Sequence, residues 1–299
     1  MRTRWLPYAA LLSAMALWGS SFVAMKTAVG SYDPLVVVFC RMLIGTLLFA
    51  PLARRWRRER YCPGDWKALT LMAVFEPVLY FVCEGYALRL TSASQAGMIT
   101  ATLPAMVAVA AVLMLKERVR GRTWAGFGLS VAGVVVISLA AEETGSAPAP
   151  LLGNLLELLA MGCATGYMIS LKRLSARYSP WFLTAVQSFV GCILFFPTLF
   201  LPWTELPRHL DPAAALAVLY LGAIVTIAAY GFYNYGMSRI PASQASAFVN
   251  LIPVFTALMG YAFLDERLTP LQLGAAGLIF CGVFLSQGRQ SSPAPAGES

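Results

Sequence analysis

Ten stretches of mostly apolar residues follow one another along this chain, separated by short polar breaks. Runs of about twenty such residues leave little choice of fold. In lipid every backbone N–H and C=O must be bonded within the protein, so a continuous apolar run of that length has to be a helix. Each helical residue adds about 1.5 Å toward a hydrocarbon core about 30 Å thick. The predicted spans are 6–28, 35–53, 67–89, 94–115, 123–141, 151–171, 180–201, 212–236, 241–264 and 270–287. Apolar residues make up 59% of the 299, and charged residues only 12%, about half the share of a soluble domain. A soluble protein of this size has too little interior to hide so much apolar surface. The expected class is therefore an all-α membrane protein.

The net charge of +8 does not indicate a nucleic-acid partner, because the basic residues sit in short loops between apolar runs. With the N-terminus inside, 17 Lys and Arg fall on the cytoplasmic side, including the Arg54–Arg60 cluster, and 5 on the other. That asymmetry predicts both termini in the cytoplasm. Arg2 and Arg4 precede an apolar run, Leu6 to Ala28, that is too long for a signal-peptide core and reads as an uncleaved first helix. Residues 290–299 are rich in Ser, Pro and Gly and are expected to be a disordered tail. Six cysteines without a CxxC pair suggest neither a disulfide framework nor a zinc site, and no other metal or cofactor is expected. The single histidine, His209, lies in a polar loop, which excludes a buried histidine relay.

The chain repeats itself. Ala93-Ser94-Gln95-Ala96 returns as Ala242-Ser243-Gln244-Ala245, an offset of 149, and 13 of 45 positions are identical between 93–137 and 242–286. Pro104 pairs with Pro253, Glu117-Arg118 with Glu266-Arg267, and Gly133-Val134 with Gly282-Val283. Earlier helices match at an offset of 146, where Arg41 meets Gln187. Each copy has five predicted helices, an odd number, so the second enters the membrane upside down. The expected architecture is two inverted five-helix repeats, residues 1–141 and 151–287. Inverted repeats are a transporter arrangement, since one packing read in two orientations yields inward-open and outward-open states of similar energy.

Trp18-Gly19-Ser20-Ser21-Phe22 in the first span, Leu115-Lys116-Glu117-Arg118 after the fourth, and Gly126, Gly128 and Gly133 in the fifth form a pattern. Leu264-Asp265-Glu266-Arg267 with Gly274, Gly277 and Gly282 repeats it. Over about residues 6–287 the chain resembles EamA-type carriers of the ten-helix branch of the drug/metabolite transporter superfamily. The resemblance implies a bacterial inner-membrane carrier that exports amino acids, other metabolites or toxic compounds. It also implies a central cavity lined by helices one, three, four, six, eight and nine. It names no substrate.

An ionisable residue inside a span costs at least about 2.5–3.5 kcal/mol, so each is a functional candidate. Glu76 and Glu84 in span three and Glu157 in span six qualify. Glu76, Tyr80 and Glu84 share one helix face, able to bind a cationic or zwitterionic ligand and to exchange protons. Glu157 lies near the outer end of its span, where its carboxylate can reach the interface. Span eight offers Thr226, Tyr230, Tyr233 and Asn234 on one face, and aromatic faces attract organic cations. Thr102 and Asn250 are further lining candidates, and Trp18 either lines the cavity too or packs. Pro104 and Pro253 interrupt spans four and nine and are candidate hinges. Ser94 and Ser243 read as helix caps before Gln95 and Gln244. Arg41, the one arginine within a span, either pairs with Glu157 or snorkels outward.

No P-loop is present, so transport would be secondary. Acids with few buried bases argue against phosphorylated substrates. The sequence expectation is a secondary exporter of amino acids or related zwitterionic or cationic compounds, working by alternating access, with protons as a second candidate ligand. A membrane-embedded enzyme acting on a lipid-linked substrate, and a channel or receptor, remain as alternatives. Oligomeric state is not legible.

Overall fold

The computed structural model describes residues 5–52, 61–115, 121–175, 177–237, 239 and 248–286. Among these residues the chain is helical, and an isolated bridge between Thr144 and Ala147 is the only β pairing. Segments that follow one another without a loop are numbered as one helix. They are α1 (Leu6–Ser31), α2 (Pro34–Phe49), α3 (Asp65–Leu90), α4 (Ala93–Ile99 and Leu103–Leu115), α5 (Gly121–Leu139) and α6 (Pro150–Leu174). Then come α7 (Pro180–Phe195), α8 (Pro212–Leu219 continuing through Tyr230–Met237), α9 (Ile252–Leu264) and α10 (Pro270–Ser286). Five of these, α1, α3, α6, α7 and α8, are long and apolar enough to cross a membrane. Parts of α2, α5, α9 and α10 form shorter apolar helices. Large apolar side chains such as Leu47, Phe189, Leu258, Phe263 and Phe284 face outward, as a lipid-facing surface requires.

The helix starts follow from sequence chemistry. Proline opens α2, α6, α7, α8 and α10, where its missing N–H costs nothing and its fixed φ suits the first turn. Asp33, Ser179 and Asp211 cap α2, α7 and α8. The span expected at 35–53 ends earlier as a regular helix, at Phe49, and closes in a 3-10 turn, Ala50–Leu52, that contains Pro51. Helix α6 runs on to Leu174. Residues 241–247 of the span predicted at 241–264, with Ser243 and Gln244, the Arg54–Arg60 cluster, Glu117 and the tail at 290–299 lie outside the described residues.

Several helices are broken. A π-helical turn occupies Val74–Leu79 in α3, and another occupies Tyr220–Ala229 in α8. A 3-10 turn, Thr100–Thr102, divides α4 just before Pro104. A turn at Asn250 and Leu251 precedes Pro253, which opens α9. Both prolines thus stand in the first turn of a resuming helix rather than midway along a continuous one, because there the absent N–H leaves no carbonyl unpaired.

Helix α1 packs against α3, α4, α8 and α9, while α5 packs along α10. Glycines permit the closest approaches. A Cβ on Gly133 would lie 2.6 Å from Ile279 and 2.9 Å from the Ala275 carbonyl; one on Gly282 would lie 2.4 Å from Ser130 and 2.6 Å from the Gly126 carbonyl. Between α2 and α7, Gly45 meets Ser188 and Thr226, and Gly191 meets Met42 and Pro77.

Loop ties complete the frame. The Lys26 ammonium, inside α1, donates to the Leu88 and Thr91 carbonyls (2.7 and 2.6 Å) and to that of Ser146, so it closes the C-terminal end of α3. Ser31 donates to Asp211 (2.6 Å), which holds that carboxyl below the ordinary aspartate range and ties α1 to α8. Asp65 receives Arg177 (3.0 Å) and the Tyr178 hydroxyl (2.9 Å). Glu266, in the turn after α9, accepts from the Ala93 and Ser94 amides, both at 2.8 Å, and so caps α4.

Candidate functional site

The site grows from Pro77. The residue before a proline is disfavoured in the helical region, and Glu76 is extended, at φ −147° and ψ 117°. Its carbonyl therefore leaves the helical ladder and accepts from the Gln187 amide on α7 at 2.9 Å. Its carboxylate accepts from the Tyr230 hydroxyl on α8 at 2.6 Å. Two turns further along α3, Tyr80 donates to Glu84 at 2.8 Å. Both acids are buried. The π-helical turn widens the spacing at Glu76, so Glu76 points toward α7 and α8 while Glu84 is held within its own helix.

Arg41 lies in the same region. It is 4% exposed, and its guanidinium sits 4.1 Å over the Phe81 ring. This corrects the expectation for Arg41, which neither snorkels nor pairs with Glu157. Its place halfway along α2, facing α3, keeps it in the interior. Glu157 is corrected too: it is fully buried, and neither carboxylate oxygen has a hydrogen-bond partner among the described residues. Its position within α6 turns it inward against α3, beside Tyr80, Cys83 and Glu84.

A cavity of about 20 Å³ opens between α2, α3, α7 and α8, enough for one water molecule. Arg41, Glu76, Phe81, Gln187, Thr226 and Tyr230 are among its walls. The resemblance implied a cavity lined by helices one, three, four, six, eight and nine. This one instead draws on α2 and α7, because Arg41 and the polar face Thr184–Gln187–Ser188 supply its hydrophilic wall. Helix α1 borders it through Trp18, whose ring lies 5.5 Å from Tyr230 and 5.0 Å from Tyr233. Trp18, Glu76, Tyr80, Glu84, Tyr230 and Tyr233 thus form one aromatic and acidic cluster.

Three expected lining residues stand apart. The Thr102 hydroxyl is taken by the Ile99 carbonyl (2.7 Å) and serves the 3-10 turn. Asn250 presents a buried, unpartnered Oδ1 at the break before α9. Asn234 lies in α8, with its side chain outside the described residues. The cap before Gln95 is Ser92, not Ser94: the Ser92 hydroxyl accepts from the Gln95 amide at 3.2 Å, two residues ahead of the position expected from the sequence. Gln95 itself joins a buried network that sequence reasoning did not select. Asn154 donates to Gln95 (3.0 Å) and Ser138 (3.1 Å), and Thr91 donates to Asn154 (2.8 Å). The signal for it was a polar residue inside an apolar run, three positions before Glu157.

Among the described residues no cluster of His, Cys, Asp and Glu is arranged for a metal ion. What the geometry offers is recognition: around one cavity stand a buried carboxylate with its tyrosine donor, a guanidinium, and neutral amide and hydroxyl groups, with the Tyr80–Glu84 pair further along α3.

Both halves of the chain match the EamA-like transporter family, over residues 5–139 and 151–287. The uncharacterized transporter YcxC of Bacillus subtilis is 29% identical, over 92% of this chain and 91% of its own length. An uncharacterized transporter of Archaeoglobus fulgidus is 25% identical over 94% and 96%. A chloroplastic WAT1-related protein of Arabidopsis thaliana is 25% identical over 94% of this chain and 69% of its own. One solved crystal structure aligns at a TM-score of 0.64 with 20% identity, covering 95% of this chain and 98% of that one, a likeness in fold.

Proposed function

The chain belongs to the EamA-like transporter family and is a multi-pass membrane protein, and from that premise we propose a secondary carrier of amino acids or related zwitterionic or cationic metabolites. The observation that carries the proposal is the pair Glu76 and Glu84 on α3, each buried and each held by a tyrosine hydroxyl, with Glu76 and Tyr230 in the wall of an interior cavity. An amine or ammonium group is the natural occupant of such a site.

In this reading the chain has ten spans in two inverted repeats, residues 1–141 and 151–287. Several observations support it. The contacts at Gly133 and Gly282 are related by the sequence offset of 149: Gly133 meets Ala275 and Ile279, and Gly282 meets their counterparts Gly126 and Ser130. Ser130 donates to the carbonyl of its own counterpart, Ile279 (3.4 Å), as expected near a two-fold axis. The π-helical turns of α3 and α8, and the breaks before Pro104 and Pro253, fall at matched positions. Every loop tie described above joins segments assigned to one side of the membrane by the Lys and Arg distribution.

Such paired discontinuities suit alternating access. Pro104 and Pro253 act as hinges, and the two halves rock about the cavity to open it first to one side and then to the other. Its present volume admits only water, so substrate enters when α2 and α3 part from α7 and α8. Glu84, Glu76 and Glu157 are the proton-coupling candidates. The protein is assigned to the bacterial inner membrane with both termini cytoplasmic, and its direction is export.

The test is current across proteoliposomes on a solid support during concentration jumps of an amino-acid panel and an organic-cation panel, for the native protein and Glu84→Gln. A saturable response that changes in the variant supports the reading. Silence to both panels, with a silent internal pH dye, rejects it.

A further inference from the structure

Arg41 is a buried charge beside the cavity with no direct polar partner among the described residues. It is 4% exposed. Among the described residues its Nε has no hydrogen-bond partner and the guanidinium makes no ion pair; the Phe81 ring is its close neighbour. A guanidinium carries five donors in a planar fork, and buried polar groups are almost always bonded. Removing a charge from water without pairing it is costly. A buried arginine left in this condition beside a cavity is a group whose partner arrives from outside.

We infer that Arg41 and Glu76 together form a zwitterion subsite, in which Arg41 takes the carboxylate of an α-amino acid and Glu76, with Tyr230, takes its ammonium. The inference rests on the carrier reading above and narrows it, from cations or zwitterions to compounds bearing both charges. Arg41 and Glu76 line one cavity yet do not approach within the 4.0 Å of an ion pair. In the structure the cavity between them has room for one water molecule; once it widens, a molecule with an anion and a cation on one carbon makes both contacts at once. Arginine suits the first contact because its fork meets both carboxylate oxygens.

The two halves of the chain divide the work unequally. At the offset of 146 Arg41 corresponds to Gln187, and at 149 Glu76 and Glu84 correspond to Val225 and Tyr233. Both signs of charge therefore come from the first half, and the second half closes the cavity with neutral groups, Gln187, Ser188 and Thr226. A site for simple organic cations would gain nothing from a positive charge in its wall. If Arg41 only balanced the two acids at a distance, its removal would affect every ligand alike.

The experiment compares phenylalanine with phenylalaninamide, phenethylamine and 3-phenylpropionate in the same proteoliposome assay, and repeats the series with leucine and threonine analogues. The native protein is expected to respond to the amino acid with an apparent affinity about tenfold to a hundredfold above that of each analogue lacking one charge. In Arg41→Gln the preference for amino acid over amide and amine collapses, and in Arg41→Lys it falls between the two. Because each readout is a ratio within one preparation, partial loss of folded protein cancels, and the native series needs no variant at all. Amine or amide taken as well as the amino acid by the native protein, or an unchanged ratio in Arg41→Gln, overturns the Arg41 assignment and leaves a cation carrier standing. A response to 3-phenylpropionate equal to that of phenylalanine overturns the part given to Glu76. No response to any of these compounds, in current or by the internal pH dye, overturns this inference; the carrier reading falls with it only when the amino-acid and organic-cation panels are silent as well.

Discussion

Pro77 turns an acidic residue in a helix into an acidic residue in a site. Without it Glu76 would stay in the helical ladder; with it, the backbone extends and both carbonyl and carboxylate reach partners on other helices. The acids were legible in the sequence because a carboxylate in an apolar run has no bland explanation. Their partners were not, since hydrogen bonding across helices depends on the rotation of each helix about its axis. Arg41 and Glu157 show the same limit: position along a span does not reveal which way a side chain faces. In Tyr230→Phe the Glu76 carboxylate loses its 2.6 Å donor, and a buried acceptor left without its partner costs about 1–3 kcal/mol. The expected result is an apparent substrate affinity about tenfold weaker in the flux assay, with protein yield unchanged. An unaltered concentration dependence would remove Tyr230 from the site.

At the scale of elements, the helix ends were the most readable parts. Proline at the first position and Asp or Ser before it mark starts from sequence alone, and α2, α7 and α8 begin accordingly. The interior discontinuities were read less well. Proline pointed to the breaks in α4 and α9, whereas the π-helical turn Tyr220–Ala229 contains no proline and carries no sequence mark. Glu266 was readable only as a turn residue near an arginine. Its carboxylate instead bonds two amides at the start of α4, where free N–H groups and the positive end of the helix dipole favour an anion. Glu266→Ala should therefore destabilise the protein by about 2 kcal/mol and speed amide exchange at Ala93 and Ser94. Glu266→Gln, which keeps an acceptor oxygen, should fall between. Unchanged exchange at those amides in the alanine variant would refute the cap.

At the scale of the whole molecule, the proposed orientation rests on the distribution of Lys and Arg, 17 against 5, and makes a direct prediction. In a variant without native cysteines, His209→Cys on intact cells should react with a membrane-impermeant maleimide, and Arg173→Cys should react only after the cells are opened. The reverse pattern, or reaction of both on intact cells, would overturn the topology. The packing of α5 on α10 through Gly133 and Gly282 suggests the axis about which the halves are related. Neither helix contributes to the walls of the cavity.

The sequence by itself determined that this chain is helical and lives in lipid, because long apolar runs can satisfy their backbone in no other way. It determined that the halves are related, because aligned prolines, glycines and Glu-Arg pairs recur at constant offsets. It also marked Glu76, Tyr80 and Glu84 as candidates on one helix face, a face that the kink at Glu76 divides. Only the tertiary structure decided that Arg41 turns inward to join them, that Gln187 holds the Glu76 carbonyl, that Asn154 organises a separate polar network, and that the cavity lies among α2, α3, α7 and α8. The reason is geometric. Periodicity specifies which residues share a face of one helix, but the partner of that face is set by how ten helices rotate and tilt against one another, and that is decided by the fit of small residues such as Gly45 and Gly191 at their crossings.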